Sequence, residues 1–70
     1  MEELSIVVAS LPDREELVAE LWCGAEHVAE LSQEGGRLVL QIYPRRSGIW
    51  EFEYAQLRDA IAKLGERLRV

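Results

Sequence analysis

The chain has 70 residues, of which 49% are hydrophobic, two tryptophans among them, and a formal net charge of −5. So short a chain makes one domain, 1–70, that buries only about 60% of the surface its unfolded form exposes, which leaves room for one core and none for a deep cleft between domains. Its apolar content excludes a disordered polar chain, and its single cysteine, Cys23, excludes an internal disulfide and a cysteine-built metal site.

The charge is uneven. From Asp13 to Glu34 the acids Asp13, Glu15, Glu16, Glu20, Glu26, Glu30 and Glu34 stand against one base, Arg14. From Arg37 onward the bases Arg37, Arg45, Arg46, Arg58, Lys63, Arg67 and Arg69 outnumber the acids Glu51, Glu53, Asp59 and Glu66. An acidic half repels nucleic acid and anionic lipid and attracts basic protein surfaces. It also serves as a solvated face that keeps a small protein in solution.

In chain order, the opening MEELSIVVASLPD has an acidic start and a short apolar run, unlike a secretory signal. No run approaches the roughly 18 apolar residues of a membrane span, and the expectation is a soluble cytoplasmic chain. Leu4 to Leu11 is rich in branched residues and stopped by Pro12, which predicts a strand with two largely apolar sides.

Asp13 to Glu30 admits two readings. Asp13 to Glu16 fits a capping box, and Leu17, Leu21, Ala25 and Val28 have helical spacing. A helix there would carry Gly24 in its middle at a cost of about 1 kcal/mol. The preferred reading is a hairpin closed by a three-residue loop, Cys23-Gly24-Ala25. It pairs Leu21 with His27, Ala19 with Ala29 and Leu17 with Leu31 on one mostly apolar face. Val18, Glu20, Trp22, Glu26, Val28 and Glu30 then share the other face.

Gly35-Gly36 is the clearest turn, since paired glycines take positive φ without strain. Arg37 to Tyr43 alternates, with Leu38, Leu40 and Ile42 inward and Arg37, Val39, Gln41 and Tyr43 outward. Pro44 ends this strand. Arg45 to Gly48 form an exposed loop, and Trp50 is expected where sheet meets helix. From about Glu53 to Arg69, Tyr54, Leu57, Ile61, Leu64 and Leu68 make one apolar helical stripe, with Gly65 a point of early fraying. Such a helix buries its stripe only by lying on a sheet. The predicted fold class is α+β: an antiparallel β-meander of three to four strands with one C-terminal helix packed on a face.

Chemistry is sparse. His27 is the only histidine, and no third group completes a catalytic set with Cys23. The carboxylates are expected on exposed strand faces, and a metal site would be all-carboxylate, with no calcium-loop spacing. No phosphate loop or dinucleotide fingerprint is present. The chain therefore reads as neither an enzyme nor a cofactor carrier. Arg45 and Arg46 beside Tyr43 and Trp50 combine base and aromatic as single-strand binders do, but the acidic balance opposes a nucleic-acid partner.

Protein binding is the stronger class. The expected partner-binding residues are Glu20, Trp22, Glu26, Val28 and Glu30 on the acidic sheet face, with Arg45 and Arg46 beside it. A homodimer would cover the same surface, and the first strand offers a pairing edge. The segments Ala29-Glu30-Leu31-Ser32-Gln33-Glu34-Gly35, Ile42-Tyr43-Pro44-Arg45, and Gly48 with Trp50-Glu51-Phe52 resemble a pattern in small bacterial proteins. Some of these resemble predicted immunity proteins of polymorphic toxin systems, and the similarity spans about residues 17 to 68. The resemblance implies a small cytoplasmic protein that blocks a cognate toxin, with no catalytic residues. A basic toxin would suit the acidic face.

Overall fold

A computed structural model of the chain describes residues 3–12 and 16–68. Among these residues the chain forms four strands and one helix: β1 (Leu4–Ala9), β2 (Val18–Cys23), β3 (Glu26–Glu34), β4 (Arg37–Ile42) and α1 (Tyr54–Leu68). The strands make one antiparallel sheet in the order β1-β2-β3-β4, with α1 against one face, an α+β meander as the periodicities predict. Of the proposed cap at Asp13 to Glu16 the first three residues lie outside the described residues, as does the expected helix end at Arg69.

Glycine sets both tight turns. Gly35 and Gly36 have φ of 60° and 81°, and Glu34 pairs with Arg37 across them. Two positive φ values in succession give the turn whose twist matches that of the flanking strands. The β2–β3 hairpin is closed by two residues, not three: Cys23 faces Glu26 across Gly24 and Ala25. Gly24 has φ of 60° while Ala25 keeps an ordinary negative φ, the other favoured two-residue turn.

The shorter loop changes the expected register. Leu21 faces Ala29 and Ala19 faces Leu31, whereas Trp22 faces His27, so Val28 is the extra residue of a β-bulge. The bulge corrects two assignments. Val28 belongs to the core beside Ala29 instead of the acidic face, and His27 leaves the apolar face and stacks on Trp22. The gain is apolar burial: Val28, Ala29 and Leu31 are all buried on β3. Leu17, expected opposite Leu31, is exposed and precedes β2.

The core joins Ala19, Leu21, Val28, Ala29 and Leu31 of the sheet to Ala60, Leu64 and Leu68 of α1, with Leu4, Ile6, Trp50, Phe52 and Leu57 packed around it. The helix is turned from the expected stripe. Leu57, Ala60, Leu64 and Leu68 face the sheet, while Tyr54 is 78% exposed and Ile61 41%. The small Ala60 lets the helix axis approach the strands closely, and the larger Ile61 falls at the margin. The helix is too short and polar to cross a membrane.

α1 continues through Gly65 to Leu68. Gly65 has no left-handed φ, and a Cβ built there meets nothing within 4 Å. Gly65→Ala should therefore stabilise the fold by about 0.5–1 kcal/mol. Leu64, fully buried, should lose about 2–5 kcal/mol on truncation to Ala. Urea unfolding followed by far-UV circular dichroism reads both changes, and a lowered midpoint for Gly65→Ala would contradict the continuous helix.

Candidate functional site

The two faces of the sheet differ in chemistry. On the face away from α1, Glu20 of β2 stands directly opposite Glu30 of β3, with Trp22 opposite His27 one step along. Like charges directly opposed on neighbouring strands are unfavourable unless other groups share them. The Trp22 Nε1–H donates to Glu20 Oε1 at 3.1 Å, and the Tyr43 hydroxyl donates to Glu30 Oε1 at 3.4 Å. The His27 ring lies between these donors. It stacks on Trp22 at 4.7 Å between centroids with 5° between planes, and Tyr43 tilts against it at 4.7 Å. Because a carbonyl only accepts, the 3.0 Å contact of His27 Nε2 with the Ala29 carbonyl makes that nitrogen the donor.

Sequence reasoning missed this cluster because it turned His27 to the other face. Glu20, His27 and Glu30 each offer a ligand atom within 4.8 Å of the others. An imidazole with two carboxylates is a donor set that a divalent cation takes, not the all-carboxylate set expected. Glu30 is only 4% exposed, which also corrects its expected place on an open strand face. Glu20 and Trp22 are half-buried, so the acidic face is largely a closed network of internal hydrogen bonds and ring contacts.

The loop after β4 is anchored in the same way. Trp50 packs against the core, stacks on Phe52 at 5.6 Å and donates from Nε1 to the Tyr43 carbonyl at 2.9 Å. Arg45 lies over the Trp50 ring at 5.0 Å, donates to the Ile49 carbonyl at 3.0 Å and reaches Glu26 at 3.8 Å. Arg46 is exposed. Tyr43 and Trp50 are thus both engaged internally, and the loop does not hold out a pair of free rings for bases to stack on.

The helix-side face holds a surface that the sequence did not reveal. α1 lies against β1, β2 and β3 and does not reach β4. The inward residues of β4 are therefore open: Leu38 is 60% exposed, Leu40 37% and Ile42 68%. Between β4 and α1 runs a groove of about 230 Å³ whose walls include Leu40, Ile42, Trp50, Phe52, Leu57 and Ile61. Every residue lining it is apolar apart from the indole N–H of Trp50. A second hollow, between β1 and α1, is walled by Glu3, Gln56, Asp59 and Lys63 around Leu4 and Ile6. Cys23 is half-buried beside its turn.

No family model, curated protein or solved structure matches the chain.

The Trp50 anchor has a measurable weight. Trp50→Phe keeps a ring against Phe52 but leaves the Tyr43 carbonyl without its indole donor, and should cost about 0.5–1.5 kcal/mol. Trp50→Ala should cost more, and the difference between the two midpoints in urea separates packing from the hydrogen bond.

Proposed function

We propose that this chain is a non-enzymatic protein-binding domain that works by strand addition at β4. An extended segment with apolar residues at alternate positions pairs with the free edge of β4 and lays those residues over the groove beside α1. The observation that carries this is the bare inward face of β4 at a sheet edge, with Leu38 and Ile42 60% and 68% exposed. Contiguous apolar surface of this kind marks an interaction site. Main-chain hydrogen bonds supply affinity in such pairing, and pockets for alternate side chains supply specificity.

The groove supports binding and not catalysis. Its lining carries no titratable side chain that could move a proton. The acidic face suits a partner less well, because Val28 turns inward and Glu30 is buried. The inhibitor role implied by the immunity-like resemblance requires only that the captured segment belong to a toxin.

A peptide copying residues 36–43 tests the reading. It should bind saturably below millimolar concentration and shift the methyl resonances of Leu40, Ile42 and Ile61. A peptide of the same composition with the alternation scrambled should not. Ile61→Lys, at a position 41% exposed in the free chain, should weaken binding at least tenfold while leaving the circular dichroism unchanged. At concentrations where the chain is monomeric, no perturbation of those methyls by the copied peptide would overturn strand addition.

A further inference from the structure

Resting on the strand-addition reading, we infer that the segment β4 takes is β4 of a second copy, giving a twofold dimer with one continuous eight-stranded sheet. The first support is area. A monomer of 8.0 kDa has an expected accessible surface of about 4,450 Å² by the size scaling of compact proteins. This chain exposes 5215 Å². The excess of roughly 760 Å² over the scaling accords with apolar surface left open, and the exposed Leu38 and Ile42 of β4 are part of it. The shape agrees: the Cα extents are 34 × 23 × 16 Å, and the radius of gyration is 12.2 Å against about 11 Å expected for this length.

The second support is register. The Tyr43 amide donates to the Val28 carbonyl, so the backbone groups of Tyr43 point toward β3. By alternation those of Gln41, Val39 and Arg37 do the same, and those of Leu38, Leu40 and Ile42 point to the free edge. Antiparallel pairing about a twofold axis at Leu40 sets Leu40 against its own copy and Leu38 against Ile42 in both directions. Each of these pairs exchanges backbone hydrogen bonds, and their side chains fall on the same face as the groove. The two bare apolar rows then become one continuous row across the dimer.

The third support is charge. β4 carries no acid and only one base, Arg37, which this register places opposite Tyr43 of the second copy. No like charges meet, although the chain as a whole carries −5. The turn end of β4, after Glu34, faces the end that leads to Arg45 and Arg46, so acidic and basic ends alternate across the axis.

Sedimentation equilibrium over a wide concentration range tests this, with Leu38→Lys and Ile42→Lys as variants. Both positions are already mostly exposed, so the lysines leave the monomer folded, and circular dichroism checks it. The parent should show twice the 8.0 kDa monomer mass, and each lysine should raise the dimer dissociation constant at least tenfold. Amides of Leu38, Leu40 and Ile42 should exchange slowly in the parent and quickly in the variants. A parent dimer indifferent to both lysines would overturn the inference by placing the contact elsewhere. A monomeric parent that still binds the 36–43 peptide would also overturn it while leaving strand addition standing, with another protein's strand as occupant. A monomer that binds no peptide would remove both.

Discussion

One helix is narrower than four strands, and most of this molecule's surface chemistry follows from that mismatch. A helix with its side chains is about 10–12 Å wide, whereas four strands about 4.8 Å apart span roughly 14 Å between the outer axes alone. α1 can therefore cover three strands well or four badly. It covers β1, β2 and β3, and the core forms where Leu57, Ala60, Leu64 and Leu68 meet Leu21, Ala29 and Leu31. The uncovered quarter of the face is β4. Its inward leucines and isoleucine are as apolar as those beneath the helix, but α1 does not lie over them.

The β-bulge at Val28 is the second constraint, and it acts on both faces at once. It turns Val28 inward beside Ala29, widening the apolar floor of the groove, and it turns His27 outward between Trp22 and Tyr43. Without that extra residue the outward face would hold Glu20 and Glu30 with no ring between their donors. With it, His27 stacks on Trp22 and Tyr43 tilts against His27, and the indole and phenol each reach a carboxylate. Carboxylates as enclosed as the half-buried Glu20 and the buried Glu30 become tolerable when such groups share their charge.

These two constraints also explain what was legible in the chain. β4 was clear because alternation over six residues and the glycine pair before it agree. The position of Trp50 was clear because a large apolar ring after a polar loop has few places to go. The bulge was not legible: His27 and Val28 each suit either face, so local propensity does not choose between registers. Only the competition among Val28, Ala29 and Leu31 for the helix-side core decides it. The helix stripe was read one notch off because Ala60, the weakest hydrophobe on the helix, is buried for its small size, while Tyr54 and Ile61 project beyond the sheet. The exposed face of β4 was invisible because its pattern is that of a covered strand. Coverage depends on the width of a distant element, which periodicity does not encode.

The two edges of the sheet are therefore not equivalent, and the difference bears on which one meets a partner. β1 and β4 both present unpaired backbone groups, and neither carries an acid. Leu4 and Ile6 of β1 are packed against α1, so a strand added there would find the helix already occupying its inward side. A strand added at β4 finds open apolar side chains and a groove beside them. Proteins usually guard such an edge with charge, an internal proline or a bulge. β4 pairs regularly with β3 along its whole length, its only charge is Arg37 at the start, and Pro44 lies beyond its end. An edge left both apolar and unguarded is an aggregation hazard when empty, and it becomes stable surface only when something with its own alternation covers it.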